Sequence, residues 1–326
     1  MKASKLAATF CSVVALLGLS IGAQAQTTLK LGHVLSKDSH YAAGATAFAD
    51  EVAKRTNGRV KIQQFPSGSL GGEREMVESV QLGTLDFVIT STGPVGNFVP
   101  ETLIMDLPFL FRDYDHARKV LDGQIGQELL AKFPAKGLVA LAWGENGFRH
   151  LTNSKRPVNA PDDMKGLKIR TMENPIHMIA FKTLGAQPTP MAFPELFGAL
   201  QQGTVDGQEN PIPVIVSSKF SQVQKHLSLT GHLYSPALII TSPVILDKLS
   251  AADKKAVQEA AVIGAQAMRK RVNEIETKGM DELKTQGVAI VNGVDKSAFQ
   301  KALGVAYTDY ARRFGVDAIE RIRSVK

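Results

Sequence analysis

The sequence predicts an α/β fold of two domains, with a cleft between them and one long helix across both. Three observations lead there. The chain opens strand–helix–strand: Leu29 to Val34 alternates, Tyr41 to Arg55 carries apolar residues at helical spacing, and Val60 to Phe65 alternates again. That order builds a parallel sheet around a crossover helix. A phrase also recurs: VQLGTLD at 80–86 returns as LQQGTVD at 200–206. A helix–Gly–strand link can converge on such a phrase. Here each copy precedes a strand and then polar residues, which favours two domains of related topology. Last, Leu249 to Gln286 is rich in Ala, Lys, Glu, Gln and Met. As one helix it would span about 50 Å, more than one small domain needs. A chain of 326 residues suits two domains.

The first 25 residues have the pattern of an export signal. Lys2 and Lys5 form a basic start, Leu6 to Ile21 is apolar, and Ala23-Gln24-Ala25 offers a cleavage site. The apolar run is shorter than the roughly 20 residues that a membrane span needs. The only cysteine, Cys11, lies in this leader, so the mature chain has no disulfide and no thiolate metal site. The whole chain carries a net +7; removing two of its 38 basic residues leaves 36 against 31 acidic, or +5. Aromatics are 6% and no long single-sign run occurs, which argues against a nucleic-acid partner. The expected compartment is the periplasm and the expected state a monomer.

The remaining elements follow in order. Ser36 to Ser39 supplies caps for the first helix, and Asn57-Gly58 closes it. Glu73 to Leu82 is a helix with acidic residues in its first turn, ended by Gly83, and Leu85 to Thr90 is a buried strand. Asp113 to Phe133 is predicted as one helix and Leu138 to Trp143 as a strand. Leu167 to Met172 is a strand, and Asn174-Pro175 starts a helix. Thr189 to Phe193 is extended, Pro194 to Gln202 helical, Val205 to Gln208 a strand, and Asn210-Pro211 another helix start. Ser235 to Thr241 returns as a strand. Gly264 and Gly279 are places where the long helix could bend or break. Val288 to Val291 is a last strand before a mostly helical C-terminus, with Tyr307, Tyr310 and Phe314 on one side.

No local signature of a hydrolase, nucleotide site, metalloprotease or calcium loop is present, and no histidine sits at metal-ligand spacing with a second ligand. No catalytic residue, metal or cofactor is therefore assigned. Arginine remains. Arg170 stands in an otherwise apolar strand and Arg149 follows Gly147-Phe148. A buried arginine is costly unless paired, and its planar fork suits a carboxylate. The partner is either an internal Asp or Glu or the carboxylate of a ligand. Phe193 and Trp143 could wall a site or simply pack in the core, and Asn210 could donate to a ligand or cap a helix. Ligands of open α/β sheets sit beyond the carboxyl ends of strands. His33, Glu73, Arg74, Ser91 and Thr92 are accordingly candidates for the facing wall.

These residues resemble a known family. FPSGSLGGERE (65–75), GLKIRT (166–171), PTPMAF (188–193) and VDGQENP (205–211) are similar to the DctP-type substrate-binding proteins of tripartite ATP-independent periplasmic (TRAP) transporters. The resemblance covers essentially the whole mature chain. It implies a type II-like periplasmic-binding-protein fold that closes around a small organic acid and delivers it to a cation-coupled membrane permease. It implies that Arg170 grips the ligand carboxylate, and it maps further site positions onto Arg149, Phe193 and Asn210. The expected domains are 26–146 with about 236–275, and 147–235 with about 276–326. A sugar acid (a uronate or aldonate) is favoured over a C4-dicarboxylate or an aromatic acid. The alternatives are a periplasmic enzyme acting on a sugar acid, with His33 or Glu73 as base, and a ligand sensor for a membrane kinase.

Overall fold

The structure is a computed structural model that describes residues 26–326; the predicted leader, 1–25, lies outside the described residues. The first half runs β1 (Thr27–Gly32), α1 (His40–Arg55), β2 (Val60–Phe65), α2 (Glu73–Gln81), β3 (Phe87–Ser91) and α3 (Thr92–Val95). Then come α4 (Tyr114–Asp122), α5 (Gln124–Leu130) and the 15-residue strand β4 (Val139–Asn153). The second half repeats the plan: β5 (Lys168–Thr171), α6 (Pro175–Thr183), β6 (Gln187–Pro190), α7 (Phe193–Gln202), β7 (Gly207–Pro211) and α8 (Ile212–Ser217). The chain continues with β8 (His226–Thr241), α9 (Pro243–Leu246), α10 (Ala251–Thr285), β9 (Ala289–Val291), α11 (Lys296–Ala302), α12 (Gly304–Phe314) and α13 (Val316–Arg323).

The strands form one mixed sheet in the order β2-β1-β3-β8-β4-β7-β5-β6, with β9 beside β8. β1 pairs parallel with β2 and β3, and β5 pairs parallel with β6 and β7. The antiparallel strands β4 and β8 run through the middle and belong to both halves. The repeated phrase has a structural meaning. Gly83 and Gly203 both take left-handed φ, 74° and 70°, at the ends of α2 and α7. Asp86 Oδ2 then accepts the backbone N–H of Lys30 at 2.7 Å, and Asp206 Oδ2 accepts that of Lys168 at 2.9 Å. Each aspartate ties its strand to the neighbouring parallel strand, so the two halves share topology and fastening.

α10 is unbroken over 35 residues and packs on α1 and α8, one from each half. Gly264 and Gly279 do not bend it; they allow close approach. A Cβ on Gly264 would lie 2.9 Å from the Gly44 carbonyl, and one on Gly279 would lie 2.8 Å from Ile212 Cγ2. The C-terminal helices also touch both halves: Tyr310 donates to Ile176 O at 3.0 Å, while Arg112 donates to the carbonyls of Arg323 and Val325, each at 2.6 Å.

Four predicted elements differ. Residues 113–133 form two helices, because Gly123 is extended and a Cβ on Gly126 would meet the Leu121 carbonyl. The strand predicted to end at Trp143 continues to Asn153, and the one predicted from Ser235 begins at His226. Their Gly, Asn and Pro residues had suggested loops, but a register shift between Glu145 and Gly147 absorbs one of them inside the strand, with Gly147 at φ 122°. Finally, Asn210 and Pro211 end β7, and the helix starts at Ile212.

Candidate ligand site

The two halves meet over a small cavity. Val34, Leu35, Tyr41, Glu73 and Ser91 line it from the first half, and Arg170, Met172, Phe193, Asn210 and Val214 from the second; Asn146 comes from β4 between them. The repeated topology explains this meeting. Glu73 opens α2 and Phe193 opens α7, the equivalent helices, while Ser91 and Asn210 stand at the ends of the equivalent strands β3 and β7.

Arg170 is 2% exposed. Its Nε and Nη2 donate to the Met191 carbonyl at 3.0 and 2.6 Å, and its guanidinium carbon lies 5.8 Å from the Phe193 ring centre. Its Nη1 is buried without a hydrogen-bond partner among the described residues. Burial, with Arg149 nearby, lowers its pKa to about 10, which still leaves it charged at neutral pH. A buried guanidinium N–H with no acceptor is costly, and an anion in the cavity would relieve that cost.

On the opposite wall, Glu73 Oε1 accepts from Thr90 Oγ1 and Ser91 N, both at 3.0 Å, and from Ser91 Oγ at 3.4 Å. Burial raises the Glu73 pKa, while those hydrogen bonds and the charge of Arg170 resist the rise. Asn210 Nδ2 donates to Gln208 Oε1 at 2.5 Å, leaving its carbonyl oxygen available.

The walls are held together across the cleft by Met172, Glu173 and Asn174. Met172 Sδ lies 3.3 Å from Ser91 Oγ, and Asn97 Nδ2 donates to Glu173 O at 2.7 Å. Asn174 Oδ1 caps α6, and its Nδ2 donates to Asp106 Oδ2 at 2.9 Å and to Gly93 O at 3.2 Å. Burial pushes the Asp106 carboxyl up to about 7 against the hydrogen bonds from Thr92 and Asn174.

Arg170, Glu73, Ser91, Phe193 and Asn210 thus come together as the sequence predicted, whereas Arg149, Arg74, His33, Thr92 and Trp143 do not line the cavity. The Arg149 Nε and Nη2 bind the Glu209 carboxylate at 2.5 and 2.9 Å, so its partner is internal. Burial would raise the Glu209 carboxyl, but Arg149 and His232 outweigh it and hold Glu209 well below the usual range. Arg74 is largely exposed and reaches Glu173 at 3.4 Å. Thr92 donates to Asp106 Oδ1 at 2.7 Å. His33 is buried beside the lining residue Val34, and burial lowers its pKa to about 4, which keeps it neutral. Trp143 faces another side of the sheet, where Nε1 donates to Gly126 O at 3.1 Å.

Val34, Leu35, Tyr41, Asn146, Met172 and Val214 also line the cavity without having been singled out by the sequence. Met172 lies two residues beyond Arg170, a spacing that shares one face of a strand, so its signal was available. Asn146 in GENG resembled turn punctuation, and Tyr41 resembled an ordinary helix residue. Among the described residues no acidic or histidine cluster could hold a metal, and no helix is long and apolar enough to cross a membrane.

The family profile "Bacterial extracellular solute-binding protein, family 7" (DctP) matches residues 31–313. A solute-binding protein of Verminephrobacter eiseniae is 55% identical over 304 residues, 93% of this chain and 91% of that one. A TRAP periplasmic solute-binding protein from Polaromonas sp. JS666, solved bound to D-erythronate, superposes with a TM-score of 0.91 at 64% identity, covering 92% of this chain and 99% of that one. A second, from Bordetella bronchispeptica, has density interpreted as pantoate. It also gives a TM-score of 0.91, at 54% identity, covering 92% and 100%.

Proposed function

This chain belongs to the DctP family of bacterial extracellular solute-binding proteins, and from that premise we propose that Arg170 grips the carboxylate of a small hydroxylated monocarboxylic acid. The family's members are periplasmic receptors for TRAP transporters and not enzymes, which sets aside catalysis by His33 or Glu73. The observation that carries the reading is the buried, partnerless Nη1 of Arg170 in a cavity between the two halves.

The solved relatives suggest the class of acid. D-erythronate, bound in one solved relative, and pantoate, the interpretation given to density in the other, share a hydroxylated four-carbon acid backbone. An acid of that class places its carboxylate on Arg170 and its hydroxyls toward Asn210, Asn146, Ser91 and Glu73. Phe193, Met172 and Val214 then cover its carbon chain. Aldonates of this size are preferred here to uronates, C4-dicarboxylates and aromatic acids.

The lobes of this reading are 26–146 with about 236–275, and 147–235 with about 276–326. Ligand binds both walls and so favours the closed arrangement, a population shift. The closed monomer then hands its cargo to a cation-coupled permease. Thermal unfolding against a panel of organic acids tests this. A ligand at 100 times its dissociation constant stabilises by about 2.7 kcal/mol. A raised midpoint with D-erythronate or pantoate, lost in Arg170→Ala, is expected; no shift with any carboxylate would refute the reading.

A further inference from the structure

Among the described residues Arg170 is the one cation lining the cavity and Glu73 the one carboxylate, on opposite walls. They are not paired with each other. Arg170 spends its bonds on Met191 O, and Glu73 Oε1 is taken up by Thr90 and Ser91. Arg149 is paired with Glu209 and does not line the cavity, although its charge reaches Glu73 and its Nη1 also lacks a partner among the described residues. The cavity therefore presents a guanidinium to one end of a ligand and a hydrogen-bond-accepting carboxylate to the other.

Glu73 also stands at the first position of α2, where the helix dipole favours a carboxylate, and three donors converge on its Oε1. These contacts fix Oε1 of a residue that lines the cavity. A hydroxyl can donate to it. A second ligand carboxylate cannot, and it would face the carboxylate of a buried residue, where like charges cost more than in water.

We infer that Glu73 is a specificity-determining residue that rejects dicarboxylates and admits acids whose far end is a hydroxyl. This rests on the reading of Arg170 as the carboxylate grip. It turns the choice between hydroxy acids and C4-dicarboxylates into a property of one side chain, by building a repulsive element against the unwanted ligand.

A matched pair of acids isolates the effect. D-erythronate and meso-tartrate differ only at C4, a hydroxymethyl group in one and a carboxylate in the other. Calorimetric titration of the purified protein should show D-erythronate preferred by at least about 100-fold, equivalent to about 2.8 kcal/mol. Glu73→Gln keeps an oxygen for the Thr90 and Ser91 donors and offers an N–H₂ to the second carboxylate. In that variant the preference should fall below about 10-fold, chiefly by gained tartrate affinity. Glu73→Ala carries the same comparison should Glu73→Gln not fold. Equal affinity of the unaltered protein for both acids, or undiminished discrimination in the variants, would overturn the inference and leave the Arg170 grip standing. Binding of neither acid, nor of any other in the panel, would overturn both.

Discussion

Arg149 and Glu209 form a fully buried ion pair, with Nε and Nη2 of the arginine on the two carboxylate oxygens at 2.5 and 2.9 Å. His232 Nε2 lies 3.2 Å from the same carboxylate. The pair joins two central strands, since Arg149 lies on β4 and Glu209 on β7. It gives Arg149 an internal partner, whereas Arg170 is the arginine among the described residues that lines the cavity.

Breaking that pair should destabilise the protein strongly. Glu209→Ala leaves a buried guanidinium uncompensated, a loss of about 3–5 kcal/mol, and the double variant Arg149→Met/Glu209→Leu should recover most of it. Urea denaturation measures both. A Glu209→Ala cost under about 1 kcal/mol would show that the pair does not hold the sheet together.

Asn174 fastens the second half to the first. Asn174→Ala removes a helix cap worth about 1 kcal/mol and leaves the buried Asp106 without its cross-cleft donor. Because that donor acts across the cleft, ligand affinity should fall along with the unfolding midpoint. Arg74→Ala breaks an exposed pair to Glu173 and should change affinity by less than about 1 kcal/mol. Equal effects of the two substitutions, read by titration, would contradict this ranking.

Acid should destabilise the fold. Burial lowers His33 to about 4 and His40 and His177 to about 3, from 6.5. These histidines stay neutral when folded, so below pH 6.5 the unfolded chain binds protons that the folded chain does not. Each then removes about 1.4 kcal/mol per pH unit. Asp106 acts oppositely: raised from 3.8 to about 7, its contribution is full below 3.8 and lost as pH rises through 7. Glu73, also raised, acts in the same sense as Asp106. With the histidines dominant, the unfolding midpoint should fall from pH 7 to pH 5, less steeply in His177→Gln. A midpoint that rises on acidification would contradict this.

Local chemistry made much of the fold legible. Asn57-Gly58 and Asn174-Pro175 bound helices as their backbone preferences require, and the repeated Gly-Thr-x-Asp turn marked two related halves. The long strands were harder, because β4 carries Gly144, Gly147 and two asparagines that only pairing on both sides keeps extended. In the site, Arg170, Phe193 and Asn210 lay in phrases with strong local grammar. Arg149 could not be separated from Arg170 by sequence, since its partner Glu209 is 60 residues away. Trp143 and His33 show the same limit: which face of an apolar strand looks into a cavity is decided by the other half of the molecule.

The central claim is most directly tested by a crystal structure of the protein with D-erythronate. The account predicts the ligand between the two halves, a carboxylate oxygen about 2.7–2.9 Å from Arg170 Nη1, and its C4 hydroxyl donating to Glu73. A carboxylate held elsewhere, with Arg170 Nη1 still lacking an acceptor, would contradict it.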